Sequence, residues 1–427
     1  MTTARAILRT RSDSADRGVA TCRKLPQELS DEIIAYLHGD KQTLRECSLV
    51  CKDWVPSASS LLFYRFSWPP CHHFNSFRSV PPRAGGLCRC HPSNAEMSSL
   101  VACAEVFSRS QRISTAVREL RLTSIRMDSP YVMSCPEVLS VDSLLRMVDL
   151  LPHLRILHLH SPKLILGIIP FDYRETSRIL HHLTVSTSDR EVDACALLAL
   201  FTYFRRISTL ICRGFVVPAK IMPPKSLPPR VEVHTLHVSL DPTIAWLCRH
   251  LNLASLHSIT ATGSFGDISP ELDLLIQNAV NLDMLVWPLQ VFQPAASSWP
   301  PLRSLTIEVP FWLHICHADT LALWDRLMTV LVHINTSQLQ ELCLWLCFEP
   351  TINSVFTPHW EDYIADFEWE CLHDFAERSR SLTKLRLELT FATPSPVRFE
   401  RCLSLLRDAA IQHLPPQARD LLEVRRR

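Results

Sequence analysis

Cys71, His72, His73, Cys88, Cys90 and His91 place six soft side chains close together in the chain, and Cys with His is the usual donor set of a tetrahedral zinc ion. Their spacing argues otherwise. Cys88-x-Cys90-His91 lacks the Cys-x2-Cys step of a knuckle and no second half with standard geometry follows. The surrounding stretch, Trp68 to Glu96, is rich in Pro, Gly, Ser and Arg and has no helical or strand period, so these residues read as unligated loop residues and no metal is expected. Glu361, Asp362, Asp366, Glu368 and Glu370 could supply paired carboxylates for acid–base chemistry. They fall on the polar side of a helical stripe made by Trp360, Ile364, Phe367, Cys371 and Phe375, and read as a solvated face. Phosphate cradles and nucleophile elbows need glycine. The chain has eight, none arranged as G-x-x-x-x-G-K-[ST], G-x-G-x-x-G or G-x-S-x-G; H-E-x-x-H is missing too, and Gly263 to Asp267 reads as a turn. No catalytic residue and no cofactor is expected; the chain reads as a non-enzyme whose chemistry belongs to its partners.

Bulk properties narrow the partners. The 427 residues are 47% hydrophobic, enough for one large core or several smaller ones. Lys plus Arg number 44 against 43 for Asp plus Glu, so no global field draws the chain to nucleic acid or anionic lipid. The longest apolar run, Ala194 to Phe204, has 11 residues, whereas a membrane-spanning helix needs about 20; it reads as a buried helix. Residues 1–20 contain no apolar secretion core and include Asp13 and Asp16, so they read as a disordered tail. Sixteen cysteines without a secretion signal fit a reducing compartment, cytoplasm or nucleus.

The elements begin with a compact helical module. Pro26 suits a first helical turn, Leu29, Ile33 and Tyr36 or Leu37 recur at helical spacing, Ile34 widens the stripe, and Gly39 is suited to a left-handed cap. A second helix is predicted through Lys41 to Val50, with Leu44, Cys47 and either Ser48 or Leu49 with Val50 sharing one side, and it ends near Cys51. A third starts near Asp53, a candidate cap, with Pro56 in its opening turn and Ala58, Leu61, Leu62 and Phe63 as its apolar residues. A unit this small supplies little core of its own, so part of its apolar surface calls for cover from another chain or the following domain.

Leu25 to Phe63 resembles an F-box: Leu-Pro-x-Glu-Leu, then Ile33-Ile34 and Leu37, a polar connection, and Leu-Val-Cys-Lys-x-Trp at Leu49 to Trp54. The match spans about a tenth of the chain, and the ordered combination is far more specific than any one element. The resemblance implies a module at 21–66 that docks through apolar contacts onto the Skp-type adaptor of a cullin-RING (SCF-type) ubiquitin ligase. The matching positions are Leu25, Pro26, Leu29, Ile33, Ile34, Leu37, Leu49, Val50, Cys51 and Trp54. Some belong to the module's own core; for Leu29 and Trp54, packing and adaptor contact stand level.

After a Pro/Gly/Cys-rich linker at 67–97, residues 98–395 repeat an amphipathic helical stretch followed by apolar-x-x-apolar-x-apolar. The middle apolar positions are Leu120, Leu157, Leu183, Leu210, Leu236, Leu256, Leu285, Leu305, Leu342 and Leu385, with steps of 37, 26, 27, 26, 20, 29, 20, 37 and 43 residues. The inner steps fall mostly within the roughly 20–29 residues of a leucine-rich repeat. The fold class predicted is α/β, a three-helix module followed by an irregular leucine-rich-repeat-like solenoid with a parallel sheet. The Asn that normally follows the strand phrase is missing, and a doubly wound sheet would use the same alternation. Residues 396–427 read as a C-terminal helix and basic tail. The pairing of module and repeats resembles fungal F-box proteins with divergent leucine-rich repeats.

With the leucines inward, Arg121, His158, His160, Thr184, Ser186, Arg213, His237, Ser239, Thr306, Glu308, Trp345, Arg386 and Glu388 fall on the opposite face of the sheet. Arg121, His158, His237, Trp345 and Arg386 are the candidates for holding a protein target; each also reads as an ordinary solvated side chain. Trp345 suits a recognition anchor, or burial beneath Glu349 to Trp360. The function expected is substrate recognition within the ligase. The alternatives are an adaptor-bound interaction protein without a ubiquitination role, or an unrelated enzyme.

Overall fold

A computed structural model describes residues 26–50, 52–68, 103–123, 138–160, 163–165, 178–186, 193–214, 230–239, 243–262, 270–289, 299–312, 317–349, 364, 367, 369–391 and 396–427. The chain divides into two compact units, one up to Tyr64 and one from Arg65.

The first unit consists of α1 (Gln27–Tyr36), α2 (Lys41–Val50) and α3 (Val55–Leu62). Ile34, Leu44, Cys47 and Ala58 are its buried core, with Leu37, Trp54, Leu61 and Leu62 packed against them. Pro26 stands just ahead of α1 with φ −50° and ψ 141°, and Pro56 lies in the opening turn of α3. Two caps differ from expectation. Gly39 has no positive φ, and the start of α2 is instead secured by Asp40, whose Oδ1 accepts from the backbone N–H of Gln42 and of Thr43, each at 3.0 Å. The hydrogen bond from the Thr43 hydroxyl is the chief reason that the Asp40 carboxyl lies below its ordinary range. Trp54, not Asp53, stands at the cap position of α3, and it makes no side-chain capping bond.

The second unit is α/β with a parallel sheet. Its strands are β1 (Arg65–Trp68), β2 (Glu119–Thr123), β3 (Val138–Ser140), β4 (Ile156–His160), β5 (Lys163–Ile165), β6 (Ile179–Ser186), β7 (Arg206–Arg213), β8 (Val231–Ser239), β9 (Leu251–Asn252), β10 (Ser258–Thr262), β11 (Met284–Pro288), β12 (Ser304–Trp312), β13 (Glu341–Glu349), β14 (Lys384–Phe391) and β15 (Leu422–Arg426). The main sheet runs β1-β2-β4-β6-β7-β8-β10-β11-β12-β13-β14-β15, with β9 beside β8; β3 and β5 form a separate pair. The order never reverses along the chain, which rules out a doubly wound sheet, where it reverses at a switch point. Crossover helices include Val141–Asp149, Ala194–Thr202, Thr243–His250, Pro270–Asn278, His317–His333, Trp369–Arg378 and Pro396–His413, as parallel pairing demands a long return between strands.

One register unites the sheet. Phe66, Leu120, Leu157, Leu183, Leu210, Leu236, Ile259, Leu285, Leu305, Leu342, Leu385 and Leu422 stand side by side across its strands. All from Leu120 to Leu385 are at most 1% exposed, and each stabilises the fold by roughly 1.5–3 kcal/mol relative to an exposed side chain. Leu256, predicted as one of the row, instead follows a 3-10 turn at Leu253–Ser255. Ile259 holds the place, and the steps on either side become 23 and 26 residues.

The eleven-residue apolar run does form a buried helix, Ala194–Thr202, capped by Asp193 through Cys195 N–H at 2.8 Å. Among the described residues no helix is long and apolar enough to cross a membrane. The acidic cluster lies largely outside the described residues; Glu370 is exposed, while Ile364, Phe367, Trp369, Leu372 and Phe375 are buried. The basic tail turns out to be structured, because Leu422–Arg426 adds a last strand to β14. Likewise Arg65 and Phe66, predicted at the end of the helical module, begin the sheet by pairing with Glu119 and Leu120.

Replacing Leu342, 0% exposed between Leu305 and Leu385, by Ala should remove roughly 2–5 kcal/mol of stability. A fall in the urea midpoint with unchanged far-ultraviolet circular dichroism measures it; a loss below about 1 kcal/mol would contradict the packing described.

Candidate functional site

The first candidate is the surface of the helical unit. Leu29 and Ile33 on α1 are 46% and 48% exposed, and Leu49 and Val50 at the end of α2 are 85% and 68% exposed. Pro26 is also exposed, whereas Leu37 and Trp54 are half-buried against the core. Ile34, expected to face the adaptor, is instead a core residue: it is 0% exposed, because it shares with Ser30 the α1 face turned into the core, one helical step of about 100° away from Ile33. Leu25 and Cys51 lie outside the described residues. Tyr36, 80% exposed, continues the Leu29–Ile33 stripe at helical spacing. Four large aliphatic side chains left in water on so small a unit call for cover.

The second candidate is the face of the sheet opposite the leucine row. Its central row, in register, is Arg121, His158, Thr184, Ile211, His237, Thr260, Val286, Thr306, Cys343, Arg386 and Glu423. Ile211, Val286 and Cys343 interrupt the polar character that alternation from the leucines suggests.

Near the first strands, Glu119 is buried and pairs with Arg65 at 2.8 Å and with Arg121. Burial works to raise its carboxyl, but the hydrogen bonds from the two guanidinium groups outweigh it and hold the group below its ordinary range. His158 Nε2 lies 3.6 Å from Glu119, its Nδ1 is 3.0 Å from the Thr184 hydroxyl, and its ring stacks on His160 at 5.6 Å and leans on His182 at 5.2 Å. His160 Nδ1 in turn lies 2.8 Å from the Ser186 hydroxyl. Burial first, then Arg121 and His182, push the His158 imidazole down to about 4, against the pull of Glu119. Burial also lowers His160, with Arg121 and Arg213 adding to it, and His237, with Arg213 and His182 adding to it. These rings are therefore neutral near pH 7. His182 and Glu119 also belong to this cluster; sequence reasoning missed them, although alternation about Leu183 and Leu120 puts them on this same face, one strand step before each leucine.

Near the last strands, Trp345 is half-buried. Its indole N–H donates to the Thr390 hydroxyl at 2.8 Å, and the Arg427 guanidinium covers its ring at 3.6 Å. The expected bare anchor is thus already stacked. Its other expected cover, Glu349 to Trp360, lies almost wholly outside the described residues. Arg386 is tied to Glu341 at 3.0 Å and Glu423 at 3.7 Å. Arg386 accordingly ties β14 to β13 and β15, while Arg121 is paired with Glu119 of its own strand, and neither stands as a bare cation for a target. The Cys/His cluster at 71–91 lies outside the described residues; among the described residues no group of three His, Cys, Asp or Glu side chains could hold a metal ion.

Two outcomes follow from this geometry. Unfolded, His158 takes its proton near its ordinary value of 6.5; folded, only at about 4. Its contribution to stability is therefore complete above about pH 6.5 and is lost as pH falls towards 4. Urea midpoints should drop across that window, and less steeply in His158→Gln. In the helical unit, Leu49→Asp should change stability by no more than about 0.5 kcal/mol, whereas Ile34→Asp buries an unpaired carboxylate and should open α1–α3 to limited proteolysis. Equal protease resistance in the two variants would contradict the assignment of Ile34 to the core. No protein-family model matches the chain, and no curated protein matches it.

Proposed function

We propose that this protein is the substrate-recognition subunit of an SCF-type cullin-RING ubiquitin ligase, with the helical unit an F-box that binds a Skp-type adaptor and the sheet unit a leucine-rich-repeat-like solenoid that binds a protein target. The observation that carries the reading is the outward placement of Leu29, Ile33, Leu49 and Val50, which the motif at Leu25 to Phe63 assigns to adaptor docking. Among the described residues, three short helices around four buried apolar residues leave those side chains exposed, and apolar contact with a second chain would supply cover. For the second unit, support comes from strands in strict chain order and from one leucine row repeated along the sheet.

The chain itself carries out no bond chemistry in this reading. Holding a target beside the ubiquitin-charged enzyme raises the effective concentration of its lysines at the transfer site, which turns a rare bimolecular encounter into an intramolecular one. Such a subunit works in the cytoplasm or nucleus, where the ligase machinery and the free thiols of Cys47, Cys103 and Cys212 are both at home.

Calorimetric titration of the full-length protein with a purified Skp-type adaptor tests the proposal. Micromolar or tighter binding is expected, weakened by at least about 30-fold, roughly 2 kcal/mol, in Ile33→Asp and in Leu49→Asp. No binding by folded wild-type protein would overturn the ligase reading. Adaptor binding without target ubiquitination in a reconstituted ligase would leave an adaptor-bound interaction protein.

A further inference from the structure

Four consecutive strands set Glu308, Trp345, Glu388 and Arg425 in one row. The Glu388 side chain is only 5% exposed, an unusual setting for a carboxylate on the polar face of a sheet. Its two oxygens are treated differently. Oε1 accepts both Nε and Nη2 of Arg425, at 2.9 and 2.5 Å. Oε2 meets Arg427 Nε at 3.8 Å, beyond a hydrogen bond. Yet the same Arg427 guanidinium lies 3.6 Å from the centre of the Trp345 ring, and that ring is fixed in place by its hydrogen bond to Thr390.

A buried carboxylate oxygen beside an immobilised indole face is a receptor for guanidinium, which stacks by its plane and donates along its edge. Arg427 meets the stacking half well and the carboxylate half poorly, and its side chain stays 43% exposed. It is held by one backbone bond, from its N–H to Leu389 C=O at 3.1 Å, so its side chain can leave without unmaking β15.

We propose that Trp345 and Glu388 form a binding site for an arginine side chain of a partner protein, and that Arg427 fills this site in cis until the partner arrives. An incoming arginine takes over the indole face and approaches Oε2 within hydrogen-bond distance, while Arg425 keeps Oε1. Lysine has no planar group to stack and is disfavoured. The inference rests on the reading of the sheet as a target-holding surface only for calling that partner a target; the binding itself requires neither adaptor nor ligase.

Fluorescence anisotropy of the full-length protein with a labelled Gly-Ser-Arg-Ser-Gly amide, and with its lysine counterpart, tests the site. Arg427→Ala should bind the arginine peptide at least about threefold more tightly than wild type, because no internal competitor remains, and should bind the lysine peptide at least about threefold more weakly than the arginine one. Adding Glu388→Gln or Trp345→Leu to Arg427→Ala should cost at least about tenfold in affinity. Should Glu388→Gln loosen the sheet edge by weakening Arg425, seen as an altered thermal melt, Trp345→Leu decides. Equal affinity in wild type and Arg427→Ala, no preference for arginine over lysine, affinity retained in the Trp345→Leu double variant, or no saturable binding would each overturn the proposal. Because adaptor titration is a separate measurement, loss of adaptor binding and loss of peptide binding are told apart.

Discussion

The leucine row is the constraint on which the second unit depends. A parallel strand stabilises its neighbour only if both send their apolar residues to the same side, and a slip of one residue would turn every leucine outward. Holding Leu120, Leu157, Leu183 and their successors in one line sets the register of every other row. The rings of His158, His160 and His182, the Glu119 ion pairs and the Glu388 site all take their spacing from it. The connections between strands are free to differ in length because they return to the same line, and so the sequence interval wanders while the sheet does not.

The helical unit has the opposite character. Its core is small, and several of its largest apolar side chains point away from it. Burying them inside would need more helix than the unit has. The same residues therefore belong to two environments, one within the chain and one supplied by an adaptor in the proposed assembly. Ile33 and Ile34, adjacent and chemically alike, are divided between them by one step of helical rotation.

That division marks the limit of what the sequence makes legible. Apolar periodicity located α1, α2 and α3, and the six-residue phrases located nearly every long strand, because period and burial are coupled locally. It could not distinguish Leu256 from Ile259, since a 3-10 turn that buries Leu253 and a strand that buries Ile259 present the same apolar spacing. Nor could it show that Arg425 reaches Glu388, 37 positions away, or that Arg427 lies on Trp345. A pairing of that kind exists only once β15 has joined the sheet, and a run of basic residues at the end of a chain otherwise reads as solvated. The candidate site on the sheet was thus legible as a list of outward residues, but not in its internal partnerships, which pair Arg121 with Glu119 of its own strand and make Arg386 a strut between strands.

The last strand also bears on how the molecule avoids its own kind. An open sheet that grows by adding parallel strands ends in a row of backbone donors and acceptors able to recruit another chain. Here the terminal strand reads Leu-Glu-Val-Arg-Arg, with Glu423, Arg425 and Arg426 placing ionised groups along the margin. Any chain seeking to extend the sheet beyond β15 would have to desolvate these charges, a cost that disfavours edge-to-edge pairing along this strand.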